Sequence, residues 1–468
     1  EDNFNQAWTM CYKGIYQASV FINNIDMNTE MTDKERLDYK GQARFVRAYY
    51  YWLLLRRYGP VPIVPNEGID YTQSYEQIAI PRNSYEEVVD YISNEMIQAA
   101  KEIQYTKRDG ENCARPTKGA CLATRALALI YSASPLANGN NDTYAKSLVD
   151  DKGKELLNST YKEEKWAKAA AACRDVMELG VYDLYHASFN TTEAVGDPKT
   201  IVPADSTCIF AQNTWPKGWK NIDPFKSYRV LFSGDIAPED NTELIFSRID
   251  QNATEINHSM KSFARHSMPR DFGGWNTHGL TQKMVDAYYM NDGSDCPGKD
   301  RELNGGNGTE RLTGFTTLQD YQQGKYKPLA ANVSLQYANR EPRFYASVGY
   351  NGSVWEYLSD PEPTHHNRQT FYYRGSGNGY NNSQFYLRTG ISVKKYVNQT
   401  DVPDREDYRN IKDKAEPAIR YADILLLYAE ALNELEGTYS IASWDKNTTY
   451  TIQRNIEEIQ KGIHPIRI

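Results

Sequence analysis

Few of the reactive side chains in this sequence are spaced for catalysis or metal binding. His365 and His366 are adjacent, with no further ligands at the intervals a zinc site uses, so they read as solvated surface. Asp292, Asp295 and Asp300 lack the alternating oxygen ligands and closing Glu of an EF-hand loop, which leaves calcium there with little behind it. Cys11, Cys113, Cys121, Cys173, Cys208 and Cys296 contain no C-x-x-C pair, excluding a zinc knuckle or redox motif and leaving most of them free. Gly375-Ser-Gly-Asn-Gly379 lacks the spacing of a dinucleotide-binding turn and reads as a flexible, disordered surface loop. Nucleophile elbows, zinc-protease motifs and phosphate-binding loops are missing too, so no cofactor is expected. Glycoside hydrolysis would need two carboxylates across a sugar cleft, and with 61 Asp and Glu residues the sequence leaves such a pair open.

Binding chemistry is better represented. The chain holds 36 Tyr and 8 Trp against 14 Phe, side chains that pair a flat apolar face with a polar tip. That combination suits sugar rings, whose C–H faces stack while their hydroxyls seek polar neighbours, although many of the tyrosines must pack between helices. A net charge of −8 argues against a nucleic-acid backbone as partner. The tryptophans with turn residues close by are the candidate platforms: Trp215 and Trp219 in Thr-Trp-Pro-Lys-Gly-Trp-Lys, Trp275 in Phe-Gly-Gly-Trp-Asn, and Trp355. Tyr372 and Tyr373, which with Arg374 precede the Gly-rich loop, join them. Asn252-Ala-Thr and Asn332-Val-Ser are sequons of the kind an Asn-rich chain produces by chance.

These residues need a frame, and the frame reads as helical. Thr32 with Glu35 forms a capping box opening a helix over 33–58, where Leu37, Phe45, Ala48, Trp52 and Leu55 recur at helical spacing before Gly59 and Pro60 stop it. Ser84 with Glu87 opens a second, carrying Val88, Ile92, Met96, Ala99 and Ile103. Ala-rich helices follow over about 117–134 and 164–179, and Pro417 is expected to open another that ends before Gly437. Between Tyr182 and about Lys395 the pattern turns to Gly, Asn, Pro and aromatics, which predicts large irregular insertions and a few short strands. The expected fold is mainly α, a degenerate tetratricopeptide-like scaffold without a clean 34-residue repeat. Its regions are 1–180, 181–395 and 396–468. No apolar run approaches the ~18 residues that suggest a membrane span.

Ala43-Arg-Phe-Val-Arg-Ala-Tyr-Tyr-Tyr-Trp52 running on to Gly59-Pro-Val-Pro-Ile63 closely resembles the signature of the SusD (RagB/SusD-like) family of Bacteroidetes outer-membrane nutrient-binding lipoproteins. Arg115-Pro-Thr-Lys-Gly-Ala, Tyr131-Ser-Ala-Ser-Pro-Leu-Ala-Asn138 and Trp166-Ala-Lys-Ala-Ala resemble the same family in the same order. Leu280-Thr-Gln-Lys-Met-Val-Asp-Ala-Tyr-Tyr-Met-Asn-Asp-Gly293, Arg340-Glu-Pro-Arg-Phe344 and Arg420-Tyr-Ala-Asp-Ile-Leu-Leu-Leu-Tyr-Ala-Glu-Ala-Leu-Asn-Glu434 continue the series.

The resemblance implies one SusD-like domain, a fragment at both ends, whose lipid anchor and Arg/Glu-rich C-terminal segment lie outside this numbering. It implies non-catalytic capture of oligosaccharides at the cell surface and their delivery to a SusC-like TonB-dependent transporter, as part of polysaccharide utilization. Tyr71 and Tyr75, in the loop after the signature helix, fall in a region that faces ligand in relatives. Some members serve peptide uptake on the same scaffold, an alternative that remains open. The signature helix itself should be structural, with Phe45, Ala48, Trp52 and Leu55 inward and Arg44, Arg47, Arg56 and Arg57 pairing with carboxylates or helix ends.

Overall fold

The computed structural model describes residues 4–70, 72–107, 112–189, 209–249, 260–299, 310–381, 386–403 and 410–467. Tyr71, Cys208, Asn252 and Asp300 lie outside them. The chain divides into two compact units: 1–184 with 242–247 and 417–467, and 185–241 with 248–416.

The first unit is a stack of helices: α1 (Phe4–Asn24), α2 (Asp33–Tyr58), α3 (Tyr85–Glu102), α4 (Lys118–Ala133), α5 (Glu164–Met177), α6 (Tyr421–Asn433) and α7 (Ile456–Arg467). Each packs against the next in this order, the nearest-neighbour pattern of a helical repeat. Both expected capping boxes are formed: Thr32 Oγ1 accepts from the Glu35 amide at the start of α2, and Ser84 Oγ from the Glu87 amide at the start of α3. Gly59 ends α2 at φ 70°, where a side chain would be strained. Phe45, Ala48, Trp52 and Leu55 are buried in the core of this unit, together with the Ala-rich faces of α4 and α5. Leu37 is not; its side chain is exposed, because the buried face of the first turns of α2 carries Asp38, Gly41 and Gln42 instead. Small residues set the closest approaches. A Cβ on Gly41 would meet the Glu102 Cβ at 2.8 Å, and one on Gly462 would meet the Leu425 carbonyl at 2.4 Å.

Two charged knots lie within this stack. Arg44 clamps Glu102 through Nε and Nη2, at 3.0 and 3.2 Å, and reaches Glu95 through Nη1. Arg47, with almost no exposure, donates to the same Glu95. Arg56 instead stacks over Trp52, its Cζ 5.2 Å from the ring centre. In the second knot the buried Asp175 accepts from Arg125 at 2.8 Å and from the Tyr450 hydroxyl and Trp444 amide at 3.2 Å. Burial pushes the Asp175 carboxyl up despite Arg125.

The expectation of a helix beginning at Pro417 is corrected. Ala415–Arg420 is a strand paired with Leu244–Ile249 in a two-stranded sheet, which leaves one edge open where a residue without an N–H is tolerated. Helix α6 starts only after Arg420, whose amide donates to Asp423 Oδ2. A hairpin also follows α6, Thr438–Ala442 pairing with Thr449–Gln453 and burying Tyr450 and Ile452 on one face.

The second unit has short elements only among its described residues: helices Pro224–Ser233, Met260–Ser267 and Pro342–Ser347, and antiparallel pairs 348–349 with 392–393 and 353–355 with 368–370. One core gathers Phe225, Val285, Tyr337, Phe344 and Tyr350; another holds Met268, Phe272, Trp355, Val397 and Ile411. Val397 and Ile411 pack in this unit, which runs to 416, as does the fully buried Lys414–Asp401 pair at 2.9 Å. Buried Arg340 donates to the carbonyls of Val285 and Tyr288 and lies over the Phe344 ring. Glu356 sits between Arg229 and Lys394; burial would raise its carboxyl, but the two cations outweigh that and hold it below the usual range.

Replacing Arg47 by Met leaves the Glu95 carboxylate with Arg44 alone in a nearly dry site. Loss of one partner from a buried pair costs ~3 kcal/mol or more, so the urea midpoint of the first unit should fall by that equivalent. A change below ~0.5 kcal/mol, the scale of an ordinary surface substitution, would show that the knot contributes nothing.

Candidate functional site

The second unit builds one well-tied surface from three stretches of irregular chain. The first runs from Phe263 through the turn at Gly273 and Gly274 to Leu280. Arg265, at the end of the Met260–Ser267 helix, lays its guanidinium over the Trp275 ring, Cζ 4.7 Å from the centre, and accepts the Trp275 amide on its carbonyl. His266 stands nearly perpendicular to that indole at 4.4 Å and stacks on His278 at 5.1 Å. From His278 the ring contacts continue through Phe263, Tyr396 and Phe232 to Tyr228, at spacings of 4.5 to 5.6 Å. Trp275, His266, His278, Phe263, Tyr396 and Tyr228 are all part-exposed, whereas Phe232 is buried.

The second stretch is Phe371–Tyr380, containing the Gly-rich loop. The expectation of a disordered loop does not hold, because its backbone is gripped from the first stretch. Arg270 Nε donates to the Gly377 carbonyl at 2.8 Å, and Asn276 Nδ2 to the Asn378 carbonyl at 2.6 Å. Asn378 in turn accepts the Asp271 amide and donates to the Asp271 carboxylate at 2.8 Å. The glycines are there for space: a Cβ on Gly377 would sit 2.2 Å from Asp271 Oδ1, and one on Gly379 only 1.9 Å from the Tyr373 carbonyl. The third stretch, Tyr386–Val393, is fastened to the first by Leu280 N–H to the Ile391 carbonyl and by Ser392 Oγ to the Ser267 carbonyl.

Above this clasp lies a rim of rings and guanidinium groups. Tyr373 is 59% exposed and Tyr380 41%. Arg374 lies over Tyr380, Tyr380 meets Tyr386 edge-on at 5.0 Å, and Arg388 lies over Tyr386.

The candidate platforms from the sequence are thus sorted. Trp275 and Tyr373 are offered on this surface. Tyr372 is not: neighbours on an extended segment point to opposite sides, and Tyr372 is buried while Tyr373 faces out. Trp355 is also buried, on a strand, against Gly349 and beneath Lys394. Trp219 is 9% exposed, stacked on Phe210, so turn residues beside it did not bring it to the surface. Trp215 is part-exposed and stacks on His186 at 5.2 Å, apart from the clasp contacts described above. Tyr75 belongs to the first unit, opening the short helix Tyr75–Ile78 with 82% of its surface exposed. Tyr380, Tyr386, Arg388, His266 and His278 were not among the candidates. Their only sequence signal was aromatic and basic residues flanking glycine clusters, which does not reveal that the segments are bound together. His365 is engaged by Asp360 at 3.0 Å, and among the described residues no cluster of potential metal ligands occurs.

Comparison with known proteins agrees with this architecture. The family model described as the SusD family matches residues 242–468, and one described as starch-binding and associating with the outer membrane matches residues 1–131. The chain belongs to the SusD family. A SusD-like protein from Bacteroides fragilis superposes over 99% of this chain and 67% of its own length, with a TM-score of 0.63 at 18% identity. A protein solved with a xylogluco-oligosaccharide covers 99% of this chain and 69% of its own, with a TM-score of 0.50 at 15% identity. Likeness at this level of identity establishes the fold shared with SusD-like proteins, a tetratricopeptide-like helical scaffold. SusD-like protein P25 of Formosa agariphila is 28% identical over 58 residues, which is 12% of this chain and 11% of that relative's length. Among the described residues no helix is long and apolar enough to cross a membrane.

The two histidines make this site of the SusD-like chain pH-sensitive. Partial burial lowers both, with the neighbouring His278 and Arg265 lowering His266 further, so each protonates below the ordinary 6.5. The unfolded chain then binds more protons in that window, so this contribution to stability is complete above pH 6.5 and is lost as pH falls below it. Thermal unfolding at pH 5.5 should therefore occur at lower temperature than at pH 7, and His266→Gln with His278→Gln should flatten that slope. An unchanged slope in the double variant would refute the assignment.

Proposed function

We propose that this protein captures oligosaccharides at the outer surface of the outer membrane, without cleaving them, and passes them to a TonB-dependent transporter of the SusC type. The observation that carries this reading is the clasped surface of the second unit, where Trp275 and Tyr373 stand part-exposed on backbone held by side-chain hydrogen bonds. Aromatic faces fixed in advance suit sugar rings, since little conformational freedom is lost on binding. The named groups of this surface are rings and guanidiniums, while hydrolysis would call for two carboxylates facing each other across the sugar; Asp271 is hydrogen-bonded to Asn378. The shared fold with a protein solved carrying a xylogluco-oligosaccharide supports the same class of ligand, and the family description supports the outer-membrane setting. A lipid anchor outside this numbering would supply attachment.

Calorimetric titration against a panel of oligosaccharides should detect binding without release of shorter products. Trp275→Ala should weaken it about tenfold or more, equivalent to ~1.4 kcal/mol, and Tyr373→Ala should weaken it with no change in thermal unfolding. Product formation, or tight binding of peptides with no binding of glycans, would sink this function.

A further inference from the structure

The rim of the clasped surface carries a charge pattern that neutral sugar recognition does not require. Arg374 and Arg388 are exposed, and among the described residues neither makes an ion pair with a carboxylate. Several other guanidiniums are held by carboxylates: Arg44 by Glu95 and Glu102, Arg125 by Asp175, Arg229 by Glu356, Arg311 by Asp286, Arg420 by Glu243. In a chain of net charge −8, these two exposed arginines make a local positive patch on one small surface.

Their placement is fixed. Each lies over a tyrosine ring with Cζ 5.7 Å from the centre, and the two rings touch at 5.0 Å, so Arg374, Tyr380, Tyr386 and Arg388 form one continuous cluster. The backbone beneath is set by the Gly375 amide donating to the Tyr380 carbonyl at 3.0 Å, and by Ser376 Oγ donating to the carbonyls of Phe371 and Tyr373. On the other side, buried Leu387 anchors the segment carrying Arg388. Arg270 adds a third positive charge at the loop, with its donors occupied by the Gly377 carbonyl. The nearby carboxylate, Asp271, is hydrogen-bonded by Asn378.

A guanidinium stacked on a ring keeps its N–H edge pointing outward, and that planar fork matches the two oxygens of a carboxylate or sulfate ester. Resting on aromatic faces also limits the side-chain freedom lost when an anion binds. We infer that the Arg374, Tyr380, Tyr386 and Arg388 cluster recognises an anionic sugar, a uronate or a sulfated residue, so that the captured glycan is acidic. This rests on the glycan-capture reading above and narrows it.

The test uses the whole chain with three probes: oligogalacturonate for carboxylate, a sulfated galactan oligosaccharide for sulfate ester, and maltotriose as the neutral comparison. One anionic probe should bind at least tenfold more tightly than maltotriose, and its binding should weaken as sodium chloride is raised. R374Q with R388Q should lose at least tenfold for that probe with unchanged thermal unfolding, and R388K, which keeps the charge but not the fork, should lose part of it. Which anionic probe binds distinguishes uronate from sulfate. Maltotriose binding as tightly as both anionic probes, or a silent double arginine variant, overturns the inference while leaving glycan capture intact. No binding of any probe overturns both.

Discussion

Backbone that leaves helix and sheet must still pair its N–H and C=O groups, and meeting that demand is what gives the second unit its shape. Its regular strands are two or three residues long, too short to satisfy so much chain. Backbone bonds in turns and between loops, such as Leu280 N–H to the Ile391 carbonyl, meet part of the demand, and side chains meet more of it. Arg340 reaches the carbonyls of Val285 and Tyr288, Lys394 that of Val354, Ser392 that of Ser267, Asn398 that of Ser233, and Asn276 that of Asn378. Each such bond joins segments far apart in sequence, so the irregular chain acquires a cross-linked order that repeated ladders supply in a sheet.

The first unit solves the same problem by the opposite route. Its helices satisfy their own backbones, and polar side chains are released for contacts between helices. Arg44 and Arg47 against Glu95 and Glu102 tie α2 to α3, while Asp175 collects Arg125, Tyr450 and Trp444 at the base of the hairpin. Such buried pairs cost desolvation, but they penalise any sliding of one helix along the next, because a shift of one turn leaves a charge unpaired.

This contrast explains what could be read from the sequence. Helical periodicity and capping are local signals, so the bounds of α2 and α3 and the inward set Phe45, Ala48, Trp52 and Leu55 were legible from spacing alone. Pro417 misled because a proline opening a helix and a proline in an exposed strand edge look alike until the partner strand, Leu244–Ile249, is known. The candidate surface was legible only in part. Trp275 and Tyr373 stood out by composition, but Trp355 and Tyr372 carried the same local signals and are buried, and nothing near Tyr386 or Arg388 indicated that they meet Tyr380 and Arg374. Hydrogen bonds between residues about a hundred positions apart, such as Asp271 with Asn378, have no short-range trace.

The boxed glycines at 377 and 379 have a consequence for how this surface can diverge. Any side chain there collides with Asp271 or with the Tyr373 carbonyl, so the loop path is nearly immutable. Tyr373, Arg374 and Tyr380 project from that path with large exposed areas and can be exchanged without disturbing it. The loop therefore behaves as a fixed socket with interchangeable bits: single substitutions can change the groups at its tips while the path beneath them stays.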